Sequence, residues 1–169
     1  MVELDGKPLL QHVIDAAATV GFGQIVVVLG HRAEDVAAAI RVPTGTGIVV
    51  NPDFASGQSS SLRVGLAKLG PGTERAVILL GDQPRISPDV IRSVADGPGP
   101  IRRAVYRGTP GHPVAFDRPL WPDLMAIDGD RGAREVLAAL AGDVNPVPVD
   151  ADAPRDVDTD EDLALLVAG

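Results

Sequence analysis

Ala76-Val77-Ile78-Leu79-Leu80-Gly81-Asp82-Gln83-Pro84 is the stretch on which the fold turns. Its unbroken apolar run reads as a strand buried on both faces, the pattern of a parallel sheet. The run stops at a single carboxylate held between Gly81 and a Pro-closed turn. Open α/β sheets place their chemistry just beyond the carboxyl ends of such strands, so Asp82 stands where a catalytic or metal-binding carboxylate belongs. An Asp in that position also serves simply to cap the turn towards Ser87.

Working outward, apolar strands alternate with helical patterns, the signature of βαβ units feeding a largely parallel sheet. Upstream, Gln24 to Leu29 and Gly47 to Asn51 read as strands, the second closed off by Pro52. Pro8 to Val20 reads as a helix ended by Gly21 to Gly23, and Glu34 to Ile40 as a short one. Ser59 to Leu69 is helical, with Leu62, Leu66 and Leu69 on one face. Downstream, a helix starts near Ser87 and Pro88. Ile101 to Tyr106 and His112 to Phe116 form strands joined by Arg107-Gly108-Thr109-Pro110-Gly111, which suggests a hairpin and one antiparallel element. Ala133 to Leu140 is amphipathic, Val147 to Val149 suits a last strand, and Thr159-Asp160-Glu161-Asp162 has the form of a capping box for a terminal helix.

At 169 residues with 45% apolar side chains, the chain is expected to form one domain over residues 1–169. Absence of cysteine excludes disulfide scaffolds, thiolate metal sites and a cysteine nucleophile. No signal peptide is read ahead of Pro8 and no apolar run approaches membrane-spanning length, so a cytoplasmic location without membrane contact is expected. A net charge of −8 argues against sequence-independent binding of nucleic acid, and 3% aromatics leave little material for base-stacking platforms.

Four groups of residues could carry chemistry beside Asp82. Gly57-Gln58-Ser59-Ser60-Ser61-Leu62-Arg63 places a glycine and three hydroxyls at a helix start, where N–H groups and Arg63 would receive an anion or the polar edge of a base. Capping alone needs one hydroxyl, not three. Gly111-His112-Pro113 holds a histidine with a restricted backbone at a strand start, unlike His12 and His31; taken alone, it more often satisfies a backbone carbonyl. Asp128-Gly129-Asp130-Arg131-Gly132-Ala133-Arg134 and Asp156-Val157-Asp158-Thr159 concentrate carboxylates next to helix starts and read as caps. Mg²⁺ acting on a polyphosphate needs only one or two carboxylates, which Asp82 with Asp156 or Asp158 supplies if the C-terminal loop folds back to the sheet rim. A serine-hydrolase elbow, a Gly-x-x-x-x-Gly-Lys-Ser/Thr loop and a dinucleotide fingerprint all fail on spacing.

Taken in order, Asp5-Gly6-Lys7-Pro8-Leu9-Leu10, Gly57-Gln58-Ser59-Ser60-Ser61-Leu62-Arg63-Val64-Gly65-Leu66, Leu80-Gly81-Asp82-Gln83-Pro84, Gly111-His112-Pro113 and Asp156 to Leu163 resemble the MobA-like nucleotidyltransferase family, in particular its molybdenum cofactor cytidylyltransferase branch. The resemblance implies a Rossmann-like three-layer α/β sandwich, its sheet mostly parallel with one antiparallel hairpin strand. It implies transfer of CMP from CTP to the phosphate of a molybdopterin-type cofactor, with release of pyrophosphate. The implied partners are a nucleoside triphosphate, that small-molecule acceptor and a molybdoenzyme.

By position, Asp82 would be catalytic and a Mg²⁺ ligand, with Asp156 or Asp158 as the second ligand. Gly57, Ser59, Ser60, Ser61, Arg63 and Gly81 would bind nucleotide, Ser60 and Ser61 selecting cytosine, and His112 would face the acceptor. The alternatives are a guanylyltransferase or cytidylyltransferase for another phosphorylated acceptor, and a non-catalytic molybdenum cofactor-binding or chaperone protein. The family's opening strand and Gly-rich loop ending in Arg-Met-Gly and a lysine are not in this sequence, so the first βα unit is expected to be missing, and Lys7 is no substitute for that lysine.

Overall fold

The structure is a computed structural model that describes residues 2–126, 134–157 and 159–168. In chain order its elements are β1 (Glu3–Leu4), β2 (Lys7–Pro8), α1 (Leu9–Val20), β3 (Ile25–Leu29), α2 (Ala33–Ala39), β4 (Thr46–Val50), α3 (Gln58–Lys68) and β5 (Arg75–Ile78). There follow α4 (Pro88–Asp96), β6 (Ile101–Tyr106), β7 (Thr109–Asp117), α5 (Trp121–Met125), α6 (Arg134–Ala139), β8 (Val144–Val149) and α7 (Asp160–Ala168). Local chemistry sets several boundaries. Ser87 Oγ accepts from the N–H of Asp89 to start α4, with Pro88 in the first turn. The terminal capping box forms as expected: Thr159 Oγ1 accepts from Asp162 N at 3.1 Å, and Asp162 Oδ2 accepts from Thr159 N at 2.9 Å.

Side-chain alternation along β5 generates the layers. Ala76 and Ile78 pack towards α3 and α5, with Leu66, Trp121 and Leu124, whereas Val77 and Leu79 face Val13, Ala16 and Ile91 of α1 and α4. β7 repeats the division, Val114 and Phe116 on the first side and Ala115 on the second. The result is an α/β three-layer sandwich of Rossmann-like form. No described helix is long and apolar enough to cross a membrane.

Strand pairing corrects two expectations. β7 lies between β5 and β6 and is antiparallel to both, while β8 runs parallel to β6, giving the order β5-β7-β6-β8. The ladder partner of β5 is thus antiparallel; its apolar run reflects burial between two helical layers, and Leu79 and Leu80 lie beyond the ladder. The hairpin loop is also shorter than expected. Arg107 and Gly108 alone make the turn, with φ values of 45° and 90°, so that Thr109 to Gly111 already belong to β7 and His112 sits inside the strand. β3 and β4 form a separate parallel pair, and β1 and β2 a small hairpin. Asp128, Asp130 and Ala133 lie outside the described residues, as does Asp158.

A buried ion pair ties β6 to β7. The Arg102 guanidinium is fully buried and donates from Nη2 to Asp117 Oδ1 at 2.8 Å, where Arg75 Nε donates at the same distance. Burial alone would raise the Asp117 carboxyl, but hydrogen bonds from Arg102 and Arg75 outweigh it and hold the group below the usual range.

Candidate functional site

Gly57 makes the turn into α3 at φ 110° and ψ 169°, a conformation that disfavours any residue with a Cβ. Behind this turn stands Asn51, almost completely buried just after β4. Its Nδ2 donates to Ser60 Oγ at 2.8 Å and to Ser61 Oγ at 3.0 Å, while its Oδ1 accepts from Asp53 N at 3.0 Å. Ser60 Oγ in turn donates to the carbonyl oxygens of Gly57 and Asp53. The three serines read at the helix start form its first turn and play different parts. Ser59 and Ser60 are buried, Ser60 as a brace for the turn, whereas Ser61 lines the large cavity beside α3. No side chain caps α3, so the capping role weighed for these hydroxyls is not the one they adopt.

Gln58, Ser61, Gly81 and His112 all line that cavity, of about 790 Å³. The sequence places them far apart; β4, β5 and β7 bring them together. Arg63 follows on α3 and does not line the cavity. His112 is fixed from its backbone: its carbonyl oxygen accepts from the Tyr106 hydroxyl at 2.6 Å. Burial pushes the Tyr106 phenol up to about 12, so it remains a donor through the neutral range.

The acidic C-terminal loop does return to the sheet rim. Val157 N donates to the Asp82 carbonyl oxygen at 3.1 Å, and Gln83 Nε2 donates to Asp156 Oδ1 at 2.8 Å. Asp82 and Asp156 are therefore on adjoining strips of chain. Among the described residues no group of three or more His, Cys, Asp or Glu is arranged to hold a metal. A pair of carboxylates nevertheless fits an ion whose remaining ligands are phosphate oxygens and water.

Several residues escaped the sequence reading. Asn51 ends an expected strand and Gln83 lies in the Pro-closed turn; an amide betrays its role only through the partner it finds. Arg85 and Arg155 together line a second cavity of about 400 Å³ with Ser87, Tyr106 and Leu165. Their one signal was adjacency, since Arg85 follows the Asp82 turn and Arg155 directly precedes Asp156.

This architecture has close counterparts. Rv0371c from Mycobacterium tuberculosis H37Rv is 32% identical, and its crystal structure aligns with a TM-score of 0.90 over 100% of this chain and 88% of that one. The structure of the Rv0371c complex with manganese aligns with a TM-score of 0.84 at 33% identity, over 95% of this chain and 87% of the other. The bifunctional protein GlmU of Burkholderia thailandensis is 34% identical over 115 residues, which are 68% of this chain and 25% of that protein. The chain thus spans a quarter of the length of the curated relatives it matches. The model of the MobA-like NTP transferase domain matches residues 1–144, a span that includes Asn51, the Gly57 turn, Asp82 and His112. With well over half its length matched, the chain belongs to the MobA-like NTP transferase domain family.

Proposed function

We propose that this protein is a Mg²⁺-dependent cytidylyltransferase that transfers CMP from CTP to the phosphate of a molybdopterin-type cofactor. The observation that carries the reading is the convergence of Gln58, Ser61, Gly81 and His112 on one cavity whose rim continues into the Asp82 turn and its tie to Asp156. Ser61, aligned by Asn51, reads the polar edge of the base, with Ser60 acting through the same amide. The positive end of α3 favours the phosphates. Asp82 and Asp156 are the residues that would hold Mg²⁺, which supplies charge neutralisation and alignment of the triphosphate.

In the reaction, an oxygen of the acceptor phosphate attacks the α-phosphorus of CTP and forms the new P–O bond. The bond from that phosphorus to the bridging oxygen breaks, and pyrophosphate leaves with the electron pair. Such a transfer depends on orientation and charge more than on a strong base, which suits the hydroxyl, amide and imidazole groups of Ser61, Gln58 and His112 on the cavity. Arg85 and Arg155, beside the Asp82 and Asp156 strips, supply a place for an anionic acceptor. His112 faces the acceptor from the opposite element, β7.

The test is pyrophosphate release on incubation with CTP, Mg²⁺ and the cofactor, with GTP and a sugar phosphate as parallel substrates. CTP with the cofactor should turn over fastest, and Asp82→Ala should lower the rate by about 100-fold or more. Equal turnover with GTP would overturn the cytidine assignment, and an unaffected Asp82→Ala variant the metal assignment. Tight binding of cofactor with no turnover on any nucleotide would replace the enzyme by a carrier of the cofactor.

A further inference from the structure

Strand β4 is the outer member of its pair: among the described residues β3 is its only ladder partner. Its sequence, Thr46-Gly47-Ile48-Val49-Val50, has no charged residue, no proline and no bulge, the devices by which edge strands avoid pairing with another chain. Ile48 and Val50 share a face with Val27 and Leu29, their register partners in β3, yet they remain 38% and 53% exposed. An uncharged, β-branched edge with its apolar side chains in water is suited to accept a further strand.

Backbone direction defines what that edge offers. Asn51 N donates to Leu29 O at 2.7 Å, so Asn51 turns its backbone groups towards β3. Successive residues of a strand point their N–H and C=O to opposite edges, which sends those of Gly47 and Val49 to β3 as well and those of Ile48 and Val50 outward. Thr46 N already donates to Pro43 O at 3.0 Å, and Pro52 has no N–H. The donors of the outer edge are therefore those of Ile48 and Val50, bounded at both ends.

Charge is divided along the strand. At the Val50 end α2 begins with Glu34 and Asp35, and Asp53 follows the strand; the arginine there, Arg32, already pairs with Asp35. At the Thr46 end stand Lys68, whose stem lies 4.0 Å from where a Cβ on Gly47 would be, and the exposed Arg41. Gln11 fixes the Arg41 peptide from both sides, accepting from its N–H at 2.6 Å and donating to its carbonyl at 2.8 Å. Asp15, held by the same amide, is paired with Lys7. One end of the edge is thus acidic and the other basic.

We propose that this edge is a dimer interface: a second copy of the chain lays its own β4 antiparallel against the first, about a two-fold axis beside Val49. Ile48 then faces the partner's Val50 and Val50 the partner's Ile48, each pair exchanging both of its N–H···O bonds. In this register each exposed apolar side chain lands on the β-branched apolar side chain of the other copy. Val49 meets the partner's Val49 in the non-hydrogen-bonded position, and Thr46 and Pro52 fall opposite each other and end the ladder. The antiparallel arrangement also brings the acidic end of each copy to the basic end of the other, with Glu34 towards the partner's Arg41; a parallel one would set like against like. A contact confined to one strand edge and the helix ends beside it falls below about 1,200 Å², so association is reversible and depends on concentration. Ile48, Val50, Glu34 and Arg41 line neither cavity, and the proposal stands apart from the nucleotide reading.

The test is sedimentation of the full chain over a range of concentrations, combined with cross-linking through introduced cysteines, which a cysteine-free sequence keeps unambiguous. Dimer should form in the micromolar range, and Ile48→Lys should abolish it with the circular dichroism unchanged. Glu34→Arg and Arg41→Glu should each raise the dimer Kd about fivefold, and the double reversal should restore it. Opposed residues of a non-hydrogen-bonded pair have Cα atoms about 4.5 Å apart, within reach of a disulfide. Val49→Cys should therefore give a covalent dimer under diamide, whereas Ile48→Cys, offset along the strand from its own counterpart, should not. Hydrogen exchange at Ile48 and Val50 should slow as concentration rises. A monomer at every concentration would overturn the proposal, and slow exchange at those amides in that monomer would mean that another segment covers the edge. A dimer that survives Ile48→Lys, or cross-linking through Ile48→Cys in place of Val49→Cys, would overturn it as well.

Discussion

The four-stranded sheet and the β3–β4 pair form two halves of the fold that are finished to different degrees. In the β5–β8 half each internal strand has two partners, and the ends of β5, β6 and β7 are tied together by Asp117 with Arg75 and Arg102. In the β3–β4 half one strand presents an edge to a cavity, and the link to the rest runs through helices and the Gln24 amide. The cavity end lined by Ser61, Gly81 and His112 lies on the border between them. Gln58 and Ser61 of α3 line the cavity there from one side and Gly81 and His112 from the other, so a nucleotide bound as proposed would bridge the two and stabilise their arrangement.

The largest expected effect lies in the finished half. Asp117→Ala strips the counter-charge from a fully buried guanidinium and should cost about 3–5 kcal/mol in chemical denaturation, with the exposure of Asp117 itself pulling towards the lower figure. A loss below about 1 kcal/mol would show that this half does not depend on the pair. The pH dependence follows from the same contacts. With the folded carboxyl held below its unfolded range, Asp117 stabilises fully above that range, and its contribution disappears as pH falls through the folded value. Asp117→Asn should therefore flatten the acid limb of a Tm-against-pH curve.

On the border, Asn51→Ala removes the donor shared by Ser60 and Ser61 and should cost about 1–3 kcal/mol. Its sharper signature is in the site: KM for CTP should rise while Asn51→Asp, unable to donate to both hydroxyls, fails to restore it. An unchanged KM would separate the serine turn from base recognition.

The contrast between the halves also explains what could be read from the chain. The run from Ala76 to Leu80 marks a central strand because burial on both faces leaves no polar period. It could not specify its partner, since an antiparallel β7 and a parallel neighbour demand the same apolar side chains. The Arg107-Gly108 turn was hidden because Thr109, Pro110 and Gly111 carry loop chemistry although the first two pair with β6 and all three belong to β7. Asp82 and His112 were visible as polar residues in restrictive backbone contexts. Asn51, Gln83 and Arg102 were not, because their roles reside in side-chain partners 9 to 73 residues away.

Tyr106 tests the link between β6 and the His112 segment at smaller amplitude. Tyr106→Phe loses one hydrogen bond to His112 O, about 1 kcal/mol. The phenol is raised from 10.0 to about 12 in the folded protein, so its contribution is complete below pH 10 and is lost as pH rises through about 12. The Phe variant should lack this alkaline step; an identical alkaline limb in both proteins would remove Tyr106 as its source.

The smallest effect on stability is expected where the two acidic strips meet. Gln83→Ala deletes the donor to Asp156 Oδ1 at an exposed carboxylate and should cost only about 0.5–1.5 kcal/mol. If Asp82 and Asp156 hold Mg²⁺ as proposed, Gln83 positions Asp156 and its consequence belongs in metal dependence: the Mg²⁺ concentration for half-maximal turnover should rise several-fold, while kcat at saturating Mg²⁺ recovers. Gln83→Glu adds a negative charge beside Asp156, which repels its neighbour in the absence of metal and attracts the cation in its presence. The two variants should therefore shift the Mg²⁺ requirement in opposite directions although both lose the amide donor. A common shift would mean that Gln83 merely packs the Asp82 turn, and that the return of the Asp156 loop belongs to the fold and not to the metal.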